Sequence, residues 1–121
     1  MKSYKDLVVW QKAVELVIEV YRATSQFPRE EVYGLTSQLR QSAVSIPSNV
    51  AEGQGRATKG EFIQFLSHAR GFLYELETQL IIARELRYLS PECENRIAKH
   101  ADEVGRILMA CWLHWASPAV N

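Results

Sequence analysis

Residues 61–83 read EFIQFLSHARGFLYELETQLIIA. The apolar positions Phe62, Leu66, Ala69, Leu73, Leu76, Leu80 and Ala83 alternate spacings of four and three, which places them along one line of an α-helix. Thr58 followed three residues later by Glu61 is a capping-box pattern, so this helix is expected to begin near Lys59 and to run to about Tyr88. Ile63, Tyr74, Ile81 and Tyr88 make a second apolar stripe on another side of the same helix. A helix with two apolar stripes needs two neighbours, and a bundle supplies them.

Upstream, Leu7, Trp10, Val14, Val17 and Tyr21 recur at three and four over residues 6–25. Val9, Ala13, Leu16 and Val20 widen that stripe, while Lys12, Glu15, Glu19 and Arg22 hold the solvent side. Phe27-Pro28 ends this first helix, because a residue before proline is pushed out of the α region. A second helix is expected over residues 30–53, opened by Arg29, Glu30 and Glu31 and carried by Leu35, Leu39, Ala43, Ile46 and Val50. Pro47 lies inside it, and an interior proline costs about 3 kcal/mol. The apolar pattern keeps its phase across Pro47, so the expectation is one continuous helix kinked there, with Ser42, Ser45, Ser48 and Asn49 available to the freed backbone groups.

Gly53, Gly55 and Gly60 mark the connection into the third helix, and Ser90-Pro91-Glu92 is an N-cap, a first-turn proline and an acid opening a fourth over residues 91–115. Ile97, Ala101, Val104, Leu108 and Cys111 form its inner face. The tail from Ala116 to Asn121 is expected to fray. Four long helices joined by short turns predict an all-α fold, an antiparallel up-and-down four-helix bundle in one domain spanning residues 1–121.

Composition sets the class of partner. The 121 residues are enough for one core and too few for two. Fourteen basic and fourteen acidic residues cancel to a formal charge of zero, so no global field draws the chain onto nucleic acid or anionic lipid. Met1-Lys2-Ser3 leads directly into the first polar and apolar pattern, without an apolar leader or a run long enough to span a membrane, and the expected location is the cytoplasm. Cys93 and Cys111 are eighteen residues apart on one predicted helix, about 27 Å, and cannot bridge each other.

The search for chemistry ends mostly in structural readings. His68, His100 and His114 lack the paired spacing of a helical metal site, so no metal or cofactor is expected. Gly53-Gln54-Gly55 is not followed by a P-loop lysine, and no GxSxG or comparable nucleophile signature occurs, so no catalytic residue is assigned. Asn49, Glu52 and Arg56 fall at i, i+3 and i+7 and are expected to form a polar network closing the bundle end. Arg40, Arg56, Lys59 and Arg70, around the turn between helices 2 and 3, are the candidate nucleic-acid contacts. Ile63, Tyr74, Ile81 and Tyr88, with Trp112 and Trp115, are the candidate oligomer interface.

Three segments also resemble a known family: DLVVWQKAVEL at residues 6–16, FPREEVYGLTSQLRQSAVSIPSNVAEGQGR at 27–56, and EFIQFLSHARGFLYELETQL at 61–80. In that order they are similar to the bacterial four helix bundle protein family, also called the 23S rRNA-intervening-sequence or S23 family. The resemblance implies an up-and-down bundle assembled as a ring-like homopentamer, encoded in some genomes inside an insertion in the large ribosomal RNA gene, with an undefined biochemical role. The family is related to the accessory variability determinant of diversity-generating retroelements, a basic pentamer that binds reverse transcriptase and nucleic acid. A nucleic-acid-binding accessory role is therefore the alternative to a self-assembling one, and a neutral subunit lacks the basic exterior on which it depends.

Overall fold

The computed structural model describes residues 3–118. Four helices carry the fold: α1 (Val8–Thr24), α2 (Leu35–Gln54), α3 (Lys59–Glu85) and α4 (Pro91–Ala116). The caps read from sequence at Thr58 and Ser90 are made, Thr58 accepting from Glu61 N and Ser90 from Cys93 N. Residues 119–121 of the tail expected to fray lie outside the described residues, and Ser117 is tied back through its carbonyl, which accepts from Lys59 Nζ.

The first helix begins later than expected because Ser3 and Asp6 form a capping box around a separate 3-10 turn at Tyr4–Asp6. The second starts five residues late, at Leu35 rather than Glu30. Arg29–Glu31 forms a 3-10 turn of its own, and Gly34 is off-helix at φ −115°, ψ −115°. Glu31 instead turns forward, its Oε1 accepting from Leu35 N at 3.0 Å, so its charge caps the helix from outside. A Cβ on Gly34 would stand 2.7 Å from that same oxygen, so a larger residue there would displace the Glu31 carboxylate from its cap. The third helix stops at Glu85 instead of Tyr88, because Arg87 takes a left-handed φ of 63° and Tyr88 N bonds Ala83 O in a Schellman-type ending.

α2 passes through Pro47 unbroken. Ser45 Oγ donates to Gln41 O at 2.8 Å and Asn49 Nδ2 to Ser45 O at 2.7 Å, so these side chains bond their own i−4 carbonyls on either side of the proline and not Ala43 O, the acceptor that Pro47 leaves without an N–H.

Each helix packs on two others: α1 on α2 and α4, α3 on α2 and α4, while the diagonal pairs stay apart. The pairs Lys12 with Glu103 and Glu19 with Arg96 run in opposite order along α1 and α4, as antiparallel neighbours require. The α3 seam from Leu66 to Ala83 is buried and meets Leu16, Leu39, Ile46, Ile97, Val104 and Leu108 at the centre. On α1 the two lines exchange the roles their order of prominence suggested. Val9, Ala13, Leu16 and Val20 are the buried core, whereas Trp10, Val14 and Val17 are half-buried and Tyr21 is exposed. Gly53 lets α2 and α3 approach closely, since a Cβ there would lie 2.5 Å from Phe65 Cβ.

Candidate functional site

Of the four candidate nucleic-acid contacts, Arg56 and Lys59 line one pocket at the α2–α3 turn, and Arg40 does not join them. Arg40 lies toward the other end of α2 from Arg56, a helical rise of about 21 Å separating it from Gln54. Its Nε donates to Thr24 Oγ1 at 2.8 Å, Nη2 donates to Tyr21 O, and the guanidinium sits 4.5 Å from the Tyr21 ring centroid. It thereby closes the C-terminus of α1, where a cation opposes the helix dipole. Arg56 pairs with Glu52 at 2.7 Å and lies 4.9 Å over the Phe65 ring. Lys59 reaches Ser117 O, and Arg70 donates to the Tyr74 hydroxyl and lies 5.8 Å from the Trp112 ring.

Of the expected polar network, Glu52 and Arg56 pair with each other while Asn49 turns back to Ser45, so the three side chains do not form one hydrogen-bonded unit.

The candidate interface residues divide in two. Tyr88 packs at a tilt against Phe27 and donates to Glu31 Oε2 at 3.1 Å, which ties the α3–α4 turn to the carboxylate capping α2 and raises the phenol pKa. Trp112 Nε1 donates to Ser67 Oγ, and Trp115 packs edge-on against Phe62. These three rings rest on their own core, and Ile63 is half-buried. Only Tyr74 and Ile81 stand clear of the bundle, 54% and 51% exposed.

A face that the sequence reading did not single out lies between α1 and α2. One groove there, of about 290 Å³, is lined by Tyr4, Trp10, Val14, Val17, Val44 and Pro47. It continues past Val44 into a second of about 480 Å³ holding Tyr21, Val32 and Arg40. The sequence signal was the outer line of α1 itself, whose aromatic members looked like core. On the opposite side, between α3 and α4, a smaller groove holds Glu77, Ile81 and Asp102. Burial and then the neighbouring Asp102 charge push the Glu77 carboxyl above its ordinary range. Among the described residues no three metal-ligating side chains come together, and no helix is long and apolar enough to cross a membrane.

This neutral bundle, with its grooves and bonded rings, can be set beside known proteins. A family model for the 23S rRNA-intervening sequence protein matches residues 5–110. The chain belongs to that family. A crystal structure from Bacteroides thetaiotaomicron, of a protein of unknown function from the S23 ribosomal protein family, shares the fold of this 23S rRNA-intervening sequence protein family member with a TM-score of 0.78. The two are 21% identical, and the match covers 87% of this chain and 98% of the other. No curated protein matches the chain significantly.

Proposed function

We propose that this family member is a non-catalytic, cytoplasmic subunit that assembles with copies of itself into a homopentamer. The observation that carries the reading is the pair of outward apolar faces on opposite sides of the bundle, where Trp10, Tyr21 and Val44 line one and Tyr74 and Ile81 the other. Apolar side chains that a folded subunit leaves in contiguous grooves gain by being covered. The non-catalytic part is supported by how the polar groups are engaged: Glu31 and Tyr88 serve as cap and strut, and Arg56 and Arg70 lie on rings.

Native mass spectrometry of gently purified protein tests this. The expected species is five times the 13.8 kDa subunit, and a monomer at micromolar concentration overturns the reading. For the nucleic-acid alternative, Arg56 and Lys59 line one pocket at the α2–α3 turn while Arg40 stands apart from them, which favours the self-assembling reading. Extra mass removed by nuclease in the same spectrum would reinstate it.

A further inference from the structure

The two outward faces differ in charge as well as position. The α1–α2 groove holds Arg40, whose partners are a hydroxyl, a carbonyl and a ring and which forms no ion pair among the described residues. The α3–α4 side carries Glu77 and Asp102 in its groove and Glu85 one turn beyond Ile81, three carboxylates that form no ion pair among the described residues, beside the Arg84–Glu94 pair and Arg70, which is held on Tyr74. Because α1 and α2 form one edge of the bundle and α3 and α4 another, the two faces do not overlap and one subunit can use both at once.

Cross-helix contacts also fix the height of each residue. Lys12 meets Glu103, and Glu77 shares a groove with Asp102, so these four lie near one level. Glu19 meets Arg96, and Arg84 meets Glu94, which sets a second level toward the other end. On this scale Tyr74 stands level with Trp10 and Val14, and Ile81 with Val17 and its groove partner Val44. Glu85 stands level with Tyr21, against which Arg40 lies. A closed ring repeats one contact by rotation, without net displacement along its axis, so in a ring whose axis runs along the bundle the residues that meet across copies share a level. Here Trp10 and Val17 of one face match Tyr74 and Ile81 of the other in the same order, and Arg40 falls opposite Glu85.

We infer that copies of this chain bind head to tail, the α1–α2 groove of one subunit taking the α3–α4 face of the next, with Ile81 seated against Val44 and Arg40 facing Glu85. This rests on the self-assembly proposed above and adds which surfaces mate. A two-fold contact of the α1–α2 groove with itself would leave Tyr74 and Ile81 in water and bring like charge to like, whereas the head-to-tail contact covers both faces and joins opposite charges.

The test uses Val44→Glu and Ile81→Glu, both at exposed positions and each spoiling one face, with circular dichroism melts to verify folding. Each variant alone should be monomeric, its association weakened about a hundredfold or more. Mixed in equal amounts, they should form a heterodimer through the one intact face of each, and nothing larger. A wild-type protein that is itself monomeric overturns the self-assembly reading and this inference with it. If the wild type is oligomeric, two results overturn the head-to-tail contact alone: either folded variant stays fully assembled, or the mixture yields no heterodimer. As a finer check, Glu85→Arg should weaken assembly more than Glu85→Gln does; a folded Glu85→Arg variant that assembles as the wild type does overturns the Arg40 to Glu85 pairing.

Discussion

α1 and α3 both carry two apolar stripes, and the bundle treats them differently. In α3 the aliphatic seam from Leu66 to Ala83 is buried, and the line with Tyr74 and Ile81 faces out. In α1 the buried line is the modest one, Val9, Ala13, Leu16 and Val20, and the outer line holds the large aromatics Trp10 and Tyr21. The difference follows from space at the centre. Four helices close together fill with branched aliphatics and alanines, while an indole or a phenol reaches a groove edge with its polar tip near water. Aromatic size is therefore a poor guide to the inner side of a bundle helix.

The comparison breaks most sharply if truncating an inner residue proves mild. Leu16 is fully buried, and Leu16→Ala should cost about 2–5 kcal/mol in urea denaturation through lost burial and the cavity left behind. Val17→Ala on the outer line should cost about 1 kcal/mol or less in the isolated subunit, because its methyls already border a groove. Equal losses at the two positions would mean that the outer line is core after all.

Next in size is the tight contact between α2 and α3. Gly53→Ala places a Cβ 2.5 Å from Phe65 Cβ, a backbone-anchored atom that moves only with its helix. The expected cost is about 1–3 kcal/mol of overpacking, read as a lower melting temperature. A neutral result would show that α3 slides outward freely, and the close approach would then not be what selects glycine.

Much of this was legible in advance. Helix count, the α3 seam, the caps at Thr58 and Ser90 and the passage of α2 through Pro47 all depend on neighbours within a few residues, where periodicity and capping chemistry act. What escaped depends on pairs distant in sequence. Nothing local says that Arg40 will close the end of α1 by reaching Thr24, or that Glu31 will cap Leu35 with one oxygen and hold Tyr88 with the other. Those contacts also explain why Arg40 left the candidate patch: cations placed near one turn by residue number were taken up largely by rings and carbonyls of neighbouring helices. Tyr88, Trp112 and Trp115 escaped for a related reason, since a ring at the end of a bundle finds cover from other chain ends that sequence order does not bring near.

The smallest effect concerns the carboxylate on the α3–α4 side. Glu77 is partly desolvated and stands near Asp102, both of which raise its pKa in the folded subunit above its value in the unfolded chain. The folded state therefore holds the proton to a higher pH than the unfolded state does. Its stabilising contribution is complete below the ordinary carboxylate pKa and is lost as pH rises through the raised one, so between mild acid and neutrality this group makes the subunit less stable. Glu77→Gln removes that dependence: its urea midpoint should change less with pH than the wild type across this window, and at neutrality should equal or exceed it. A variant that is less stable at neutrality would indicate that the ionised carboxylate has a favourable partner. The α3–α4 face would then carry one unpaired acid fewer to distinguish it from the α1–α2 groove.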